Sequence, residues 1–285
     1  PERIAELKAM RAERFELMEQ LSKLPKDMVF FTQITMEAAE DPDFLKAMSK
    51  ANIKGALVGV EAVTEEGLKA VFKDFNYSGD TLIARLKTFR QHNVHVLGSF
   101  IFGLPTDRED TFTATAELAK KSDLTFAQFV VMTPFPGTVD FNKWEKELGD
   151  GAEKVHGVPV TRYWQLPADV RPKRYSPHPT MTTEQIRSYT QKVWDSFYEI
   201  GAIWQRANCV KSMKARLAFV LISKLYRQMY ANTGITTDSA RRKSANRWSR
   251  WIAKPCIKLF RTAPMPELAI PAMPVHSEPF PIHGQ

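Results

Sequence analysis

The chain has 285 residues, 44% of them hydrophobic and 25% charged, a composition typical of a globular protein with one or two domains. It contains no apolar run near the roughly 20 residues that a membrane-spanning helix needs. The net charge of +8 is uneven, because residues 181–262 hold 16 Lys and Arg against 4 Asp and Glu, while the remainder is net acidic. This asymmetry indicates two functional parts.

The first half of the chain alternates short apolar runs with charged, helix-like segments. Residues 3–23 predict an amphipathic helix that ends before Pro25. Because apolar runs and helical segments then alternate, we expect parallel βα units, either part of a barrel or an open doubly wound sheet. In both arrangements, ligands bind at the carboxyl ends of the strands. The predicted strands are 29–34, 56–60, 94–102 and 126–132, with helices near 41–48, 65–72, 78–91 and 107–121.

Beyond about residue 140 the pattern changes. The segment 142–180, rich in Pro, Gly and His from residue 149, predicts a linker or long loop. A basic helical region follows at 181–262, and the proline-rich stretch 263–285 predicts an extended or disordered tail. Within the basic region we expect helices from Thr182 or Thr183 to Trp204, over 211–230 and over 238–253.

Polar and flexible residues follow several predicted strands. Glu61 comes after four apolar residues, and burying an unpaired carboxylate is costly, so we expect it at the mouth of the sheet. There it either accepts hydrogen bonds from a ligand or caps or pairs with a nearby helix, for example through Lys69. Gln33 is a ligand contact or an ordinary polar strand end, and Gly103 allows close approach of a flat ligand or only makes a turn. Residues 134–138 predict a rigid turn.

Three motifs in this order resemble the radical S-adenosylmethionine (radical SAM) superfamily. The segment VGVEA at 58–62 is similar to its fourth strand, GSFIFGLPT at 98–106 to its fifth strand, and TPFPGT at 133–138 to the close of its sixth strand. The last form resembles the cobalamin-binding branch, which includes the anaerobic Mg-protoporphyrin ester cyclase and the class B methyltransferases. The similarity covers roughly residues 28–141.

The resemblance implies an α/β fold in which residues 28–141 form the last four βα units of a partial barrel, followed by an α-helical C-terminal region. Residues 1–27 would be a helix of the truncated barrel. It also implies SAM bound to a [4Fe–4S] cluster that a Cys-x3-Cys-x2-Cys loop holds, and cleavage of SAM to a 5′-deoxyadenosyl radical. Cys209 and Cys256 cannot replace that loop, because cluster ligation needs three closely spaced thiolates.

We therefore expect the cysteine loop, the first two βα units and a cobalamin domain to lie in a missing N-terminal part of the same polypeptide. The chain alone would then be inactive. Position by position, the resemblance implies polar SAM contacts and a wall around the adenine, but no catalytic residue and no metal ligand. Thr106 stands where some branches have Glu, so no carboxylate contact is carried over there. The candidate cofactor-binding residues are Gln33, Glu61, Ser99, Ile101, Gly103, Pro134, Phe135 and Pro136.

The basic C-terminal region admits several interpretations. Basic residues at 241–254 interleave with Trp248 and Trp251, which suits either nucleic-acid phosphates with base stacking or an anionic membrane surface. The apolar run 217–222 is flanked in the same way by Lys211, Lys214, Arg216, Lys224 and Arg227. A helical region that packs on the barrel and caps a small, hydrophobic substrate is favoured, followed by the membrane surface and then nucleic acid. The four histidines of the first 180 residues, including His178, show no metal-ligand spacing and are interpreted as ordinary surface or core residues.

The leading functional hypothesis is a part of a cytoplasmic radical SAM methyltransferase or cyclase-like enzyme. One alternative is a non-catalytic basic binding module on a degenerate barrel. Another is an ordinary α/β enzyme whose motifs resemble the superfamily by chance.

Overall fold

The structure, a computed structural model, describes residues 2–70, 79–167, 170 and 178–233. Several sequence predictions fall outside these ranges. They are the helix at 238–253 with Trp248 and Trp251, Cys256, the tail at 263–285, the adjoining ends of the helices at 65–72 and 78–91, and parts of the loop at 142–180.

Four parallel strands form one sheet in the order β1-β2-β3-β4, so the predicted alternation of parallel βα units is confirmed. The strands are β1 (Phe30–Ile34), β2 (Ile53–Glu61), β3 (His95–Phe102) and β4 (Phe126–Val131). The helices around them are α1 (Glu2–Ser22), α2 (Pro42–Lys50), α3 (Glu65–Ala70), α4 (Gly79–Gln91) and α5 (Glu109–Lys121).

Asp41 explains both the start of α2 and the position of α1. Its carboxylate accepts a hydrogen bond from the Phe44 amide (3.0 Å), and Pro42 follows at the first helical position, which needs no amide donor. The same carboxylate receives two hydrogen bonds from Arg11 of α1, at 2.9 and 3.0 Å. Phe15 of α1 packs on Phe44, with ring centroids 5.7 Å apart.

The two faces of the sheet differ in chemistry, because successive side chains of a strand point to opposite sides. On one face, Ala56, Val58, Phe100 and Phe129 are fully buried beneath the helices. Burying an apolar side chain of this size contributes about 1.5–3 kcal/mol, so this face anchors the fold. The opposite face carries Gln33, Ser99 and Gln128, and we call it the polar face.

The segment predicted as a linker or loop at 142–180 instead begins inside a helix, α6 (Val139–Leu148). The hydroxyl of Thr138 accepts a hydrogen bond from the Phe141 amide (3.1 Å) and so caps this helix. A short antiparallel hairpin of β5 (Lys154–Val155) and β6 (Val158–Pro159) follows. The loop was predicted from the Pro, Gly and His content of the segment. That prediction did not take into account the Thr138 cap or the contact of Phe141 with Trp144.

The basic helical region begins with α7 (Thr183–Phe197), where Thr182 and Gln185 form a reciprocal capping box as the predicted start requires. The single helix predicted to reach Trp204 is wrong, because the chain breaks at Glu199 and resumes as α8 (Ile200–Arg206). The break is stabilised by Arg206, whose guanidinium donates to the Phe197 carbonyl at 2.8 Å.

The last described helix is α9 (Met213–Thr233), close to the predicted 211–230. Trp194 of α7, Tyr198 directly after that helix and Phe219 of α9 belong to the same hydrophobic core as Phe100 and Phe129 of the sheet. The described part of the basic region therefore packs on the sheet and shares its core. No helix within the described ranges combines the length and the apolar content needed to cross a lipid bilayer.

Candidate cofactor-binding site

The strand register brings several predicted site residues to the polar face. Gln33 lies opposite Leu57 of β2, and Ser99 lies between Gly59 of β2 and Gln128 of β4. Paired residues of parallel strands point to the same side of a sheet, so Gln33 and Ser99 share one surface. Gln33 is exposed, whereas Ser99 is 9% exposed.

Ser99 is held by a chain of hydrogen bonds that the sequence did not predict. The Gln128 side-chain amide donates to the Ser99 hydroxyl oxygen at 2.9 Å, and the Tyr230 hydroxyl donates to the Gln128 carbonyl oxygen at 2.9 Å. Because the Ser99 oxygen accepts in this chain, its hydroxyl hydrogen is directed elsewhere and suits an acceptor on a ligand. The one available signal was the polar Gln128 in the middle of an apolar strand.

Glu61 lies at the carboxyl end of β2, as predicted, but in an unusual backbone conformation. The pairing of β2 with β3 skips one residue between Gly59 and Glu61, and the φ angle of Glu61 is +66°. The Ala62 amide donates to the Val60 carbonyl at 3.0 Å, which closes a three-residue γ-turn centred on Glu61. A non-glycine residue in the left-handed region costs on the order of 1–3 kcal/mol, and such strain is concentrated at functional sites.

Ile101 follows Ser99 by two residues on β3 and lies opposite Val130 of β4. Its side chain is partly buried in a second, smaller hydrophobic cluster with Ala62, Leu68 and Leu104. This cluster covers the carboxyl end of β3 on the same side as Ser99. An apolar surface therefore adjoins the polar side chains, as recognition of an adenine ring requires.

Gly103 makes the turn that ends β3. Its φ angle of +85° is a conformation that favours glycine, whereas the nearest atom to an added Cβ would lie at an ordinary 3.5 Å. The buried carboxylate of Asp107 accepts hydrogen bonds from the amides of Gly103 (2.8 Å) and Leu104 (3.0 Å). Burial raises the pKa of Asp107 from 3.8 to about 6, although both backbone hydrogen bonds act in the opposite direction. The sequence left open whether Gly103 makes a turn or allows a ligand to approach, and the structure shows that it makes the turn.

His178 holds the same turn from the other side. Its Nδ1 accepts hydrogen bonds from the amides of Thr180 (3.2 Å) and Met181 (3.0 Å), so Nε2 carries the proton and donates to the Leu104 carbonyl at 2.9 Å. Thr180 and Met181 lead directly into α7. His178 therefore connects the end of β3 to the start of α7, a role that the sequence interpretation missed because the two segments are 74 residues apart.

The turn after β4 places its three candidate residues differently. Pro134 is buried and its carbonyl accepts a hydrogen bond from the Tyr163 hydroxyl (3.1 Å), while Phe135 and Pro136 are exposed. Phe135 is 62% exposed at the carboxyl edge of the sheet. Gly137 has a φ angle of +86°, and the turn leads into the cap of α6, so a structural role is present here as well.

Seven of the eight candidate residues therefore lie at or near the carboxyl ends of the strands, from β1 to β4, whereas Ser99 lies in the middle of β3 opposite Gln128. With neighbouring strands about 4.8 Å apart, the outer two strands are separated by about 14 Å. Gln33 lies at one end of this row and the 134–136 turn at the other, with Glu61, Ser99 and Gly103 between them. Amide, carboxylate and hydroxyl groups beside an apolar cluster fit the amino, ribose and adenine groups of SAM.

A [4Fe–4S] cluster does not fit the described residues. In residues 2–70, 79–167, 170 and 178–233 there is no group of three His, Cys, Asp or Glu side chains that could hold a metal ion. Cys209, which has a free thiol, lies in a short 3-10 turn after α8 and packs against the main core. Cys256 lies outside the described residues.

Comparisons with known proteins identify methyltransferases as relatives, although no protein-family model matches the chain. It is 30% identical over 153 residues to an uncharacterized methyltransferase of Pyrococcus horikoshii, covering 54% of this chain and 30% of that protein. It is 27% identical over 133 residues to bacteriochlorophyllide d C-12(1)-methyltransferase of Chlorobaculum tepidum, covering 47% and 28%. It is 24% identical over 141 residues to hopanoid C-2 methylase of Rhodopseudomonas palustris, covering 48% and 27%.

The chain spans less than a third of the length of these relatives. A solved structure of the cobalamin-dependent S-adenosylmethionine radical enzyme OxsB with aqua-cobalamin bound matches with a TM-score of 0.46 and 12% identity, covering 86% of this chain and 40% of that one. The resemblance to methyltransferases that the three sequence motifs indicated is confirmed by these sequence relatives.

Proposed function

We propose that this chain supplies the adenosine-binding half of a radical SAM enzyme that transfers a methyl group, with cobalamin, to a hydrophobic substrate. The observation that carries the proposal is the row of polar groups along the polar face and the carboxyl edge of the parallel sheet, centred on Ser99 and the strained Glu61. The methyltransferase relatives support the reaction class, and two of them are named for the bacteriochlorophyllide and hopanoid compounds that they methylate.

In this proposal each residue has a separate task. The Glu61 carboxylate accepts hydrogen bonds from the ligand's amino or ribose hydroxyl groups, and the γ-turn fixes the backbone that carries it. The Ser99 hydroxyl donates to a ligand acceptor because Gln128 occupies its oxygen. Ile101 and the cluster around it contact the adenine, while Phe135 adjoins the substrate. SAM itself supplies the methyl group or the 5′-deoxyadenosyl radical when bound.

The cluster-binding cysteines and the cobalamin domain belong, in this proposal, to another part of the same polypeptide. The described residues provide no ligand set for either iron or cobalt. We therefore expect the chain alone to bind SAM weakly and to form no 5′-deoxyadenosine.

The test uses the complete polypeptide, purified without oxygen and with its iron–sulfur cluster reconstituted. Glu61→Ala should raise the KM for SAM by about tenfold or more, since a hydrogen bond to a charged group contributes about 1.5–3 kcal/mol. Glu65→Ala, which removes an exposed carboxylate from α3 only four residues away, is the matched control and should leave the KM unchanged.

The readouts are 5′-deoxyadenosine and S-adenosylhomocysteine formed per enzyme. A fully reconstituted enzyme that forms neither product would overturn the proposed reaction and favour the basic binding module. Equal KM values for Glu61→Ala and Glu65→Ala would overturn the assignment of Glu61 while leaving the reaction class intact.

A further inference from the structure

Helix α9 presents a continuous apolar surface to solvent, which we call the α9 face. Its side chains are between 36% and 59% exposed, and most are spaced four residues apart, so they form one ridge that winds gradually around the helix. The α9 face consists of Met213, Leu217, Leu221, Ile222, Leu225 and Met229.

The opposite side of α9 fixes the helix to the protein. Phe219 packs on Phe126 of β4, with ring centroids 5.6 Å apart, and Tyr226 packs on the same ring at 5.2 Å. Tyr230 reaches Gln128 on the polar face. Because these contacts hold the helix already folded, the α9 face can meet a partner without the entropy cost of ordering a segment.

The charge of α9 is of one sign. Residues 213–233 contain no Asp or Glu. Arg216 and Arg227 bond to Asn208 and Asp195 of the protein itself. Lys211 and Lys214 are exposed at the amino end of the face. The α9 face is thus an apolar surface bordered by cations.

These charges discriminate between possible occupants of the face. Two copies related by a twofold axis would bring Lys211 and Lys214 of each chain toward the partner's α9 helix, which has no carboxylate to pair with them. An anionic lipid surface meets both requirements, because its acyl chains receive the apolar side chains while its phosphates attract the lysines.

We propose that the α9 face docks on an anionic lipid surface, with the six apolar side chains entering the interface and Lys211 and Lys214 at the headgroups. This inference is independent of the proposed reaction, since it rests on exposure and charge in α9 alone. It also goes beyond the membrane interpretation of the basic region, because it assigns the contact to one helix and to named side chains.

The experiment is flotation of the complete 285-residue chain with phosphatidylcholine vesicles, prepared with and without phosphatidylglycerol. The wild-type chain should float with the anionic vesicles and much less with the neutral ones. The double variant Leu221→Glu with Leu225→Glu should reduce the partition coefficient by at least about tenfold, because two side chains that enter the interface become charged.

Val139→Glu is the matched control, since it places the same charge on a side chain that is 82% exposed in the first turn of α6, away from α9. It should float like the wild type. Lys211→Glu with Lys214→Glu should weaken the preference for phosphatidylglycerol. Circular dichroism verifies that every variant keeps its helix content, which we expect because all the changed positions face solvent.

Three outcomes would overturn the proposal. The first is a wild-type chain that remains unbound to anionic vesicles at low salt. The second is a double variant that floats as well as the wild type, which would assign the binding to residues 241–254. The third is a wild-type chain that self-associates in size-exclusion chromatography while the double variant is monomeric, which would make a second copy the occupant.

Discussion

The two edges of the sheet differ in what contacts the main chain of the outer strand. Along β4, the indole of Trp194 donates to the Phe129 carbonyl (2.8 Å), and the Tyr198 hydroxyl accepts from the Ala127 amide (3.1 Å) and donates to its carbonyl (2.8 Å). Along β1, Phe31 is 62% exposed, and within the described ranges no strand pairs with the outer side of β1. One edge is closed by helix side chains and the other is available for pairing.

This difference bears on how the sheet continues. The indole and the phenol occupy main-chain groups on the outer side of β4, and among the described residues the sheet ends at this strand. Met28 and Val29 are exposed next to Phe31, and a run of exposed apolar residues at an unpaired edge is a liability in an isolated domain.

The largest expected effect follows from removing the closure of β4. Trp194→Ala deletes a fully buried ring that packs on Phe129 and Tyr198, and should lower the free energy of unfolding by about 3–5 kcal/mol. Phe31→Ala, at the open edge, should cost less than about 1 kcal/mol. Urea denaturation followed by circular dichroism measures both values. Similar losses for the two variants would mean that the edges are not energetically different.

The next effect concerns Asp107, whose carboxylate accepts hydrogen bonds from the turn directly after β3, the strand next to β4. Since burial raises its pKa from 3.8 to about 6, the folded protein binds this proton more tightly than the unfolded chain. The free energy of unfolding should therefore fall as the pH rises between these two values, by about 2–3 kcal/mol. Asp107→Asn keeps an oxygen to accept both amides but does not titrate.

The measurement compares denaturant unfolding of the wild type and Asp107→Asn at pH 4 and pH 7, so that the titration of all other groups cancels in the difference. The wild type should lose stability relative to the variant as the pH rises. A difference that stays constant with pH would show that Asp107 does not titrate in this range.

A smaller loss of stability is expected from removing the hydroxyl oxygen of Tyr198. Tyr198→Phe keeps the ring but leaves the amide and carbonyl of Ala127 buried without their partner, which should cost about 1–3 kcal/mol. Tyr189→Phe on α7 is the control, because Tyr189 is only partly buried and water can replace its hydroxyl contact. Thermal unfolding of the two variants provides the comparison, and equal midpoints would show that the hydroxyl of Tyr198 does not close the edge.

Local pattern was sufficient to predict the strands and most of the helices. The runs that became β1 to β4 are mainly apolar, because one face of the sheet is fully buried and parts of the other are covered. The Thr182 cap and the Asp41-Pro42 start are signals of a few neighbouring residues, and both were recognised. The same locality placed Glu61 and Gln33 at strand ends, because each polar residue follows an apolar run.

Features that depend on pairing between distant residues were not predictable in this way. The skipped residue that turns Glu61 to a positive φ angle is set by the register of β2 against β3. The link from Ser99 to Gln128 and Tyr230 joins residues up to 131 positions apart in the printed sequence. The break at Glu199 is stabilised by the hydrogen bond from Arg206 to the Phe197 carbonyl, and this contact forms only when the two helices are packed.

The hydrogen-bonded series from Tyr230 through Gln128 to Ser99 has a thermodynamic consequence. It joins a helix whose far side is the α9 face to a hydroxyl on the polar face, so a binding event that shifted α9 would also shift the hydrogen-bond partners of Ser99. Such coupling is reciprocal: if occupancy of the α9 face alters the affinity at Ser99 by some factor, a ligand at Ser99 alters the affinity of the α9 face by the same factor. The affinity for the cofactor would then differ between the protein in solution and the protein bound to a lipid surface through the α9 face.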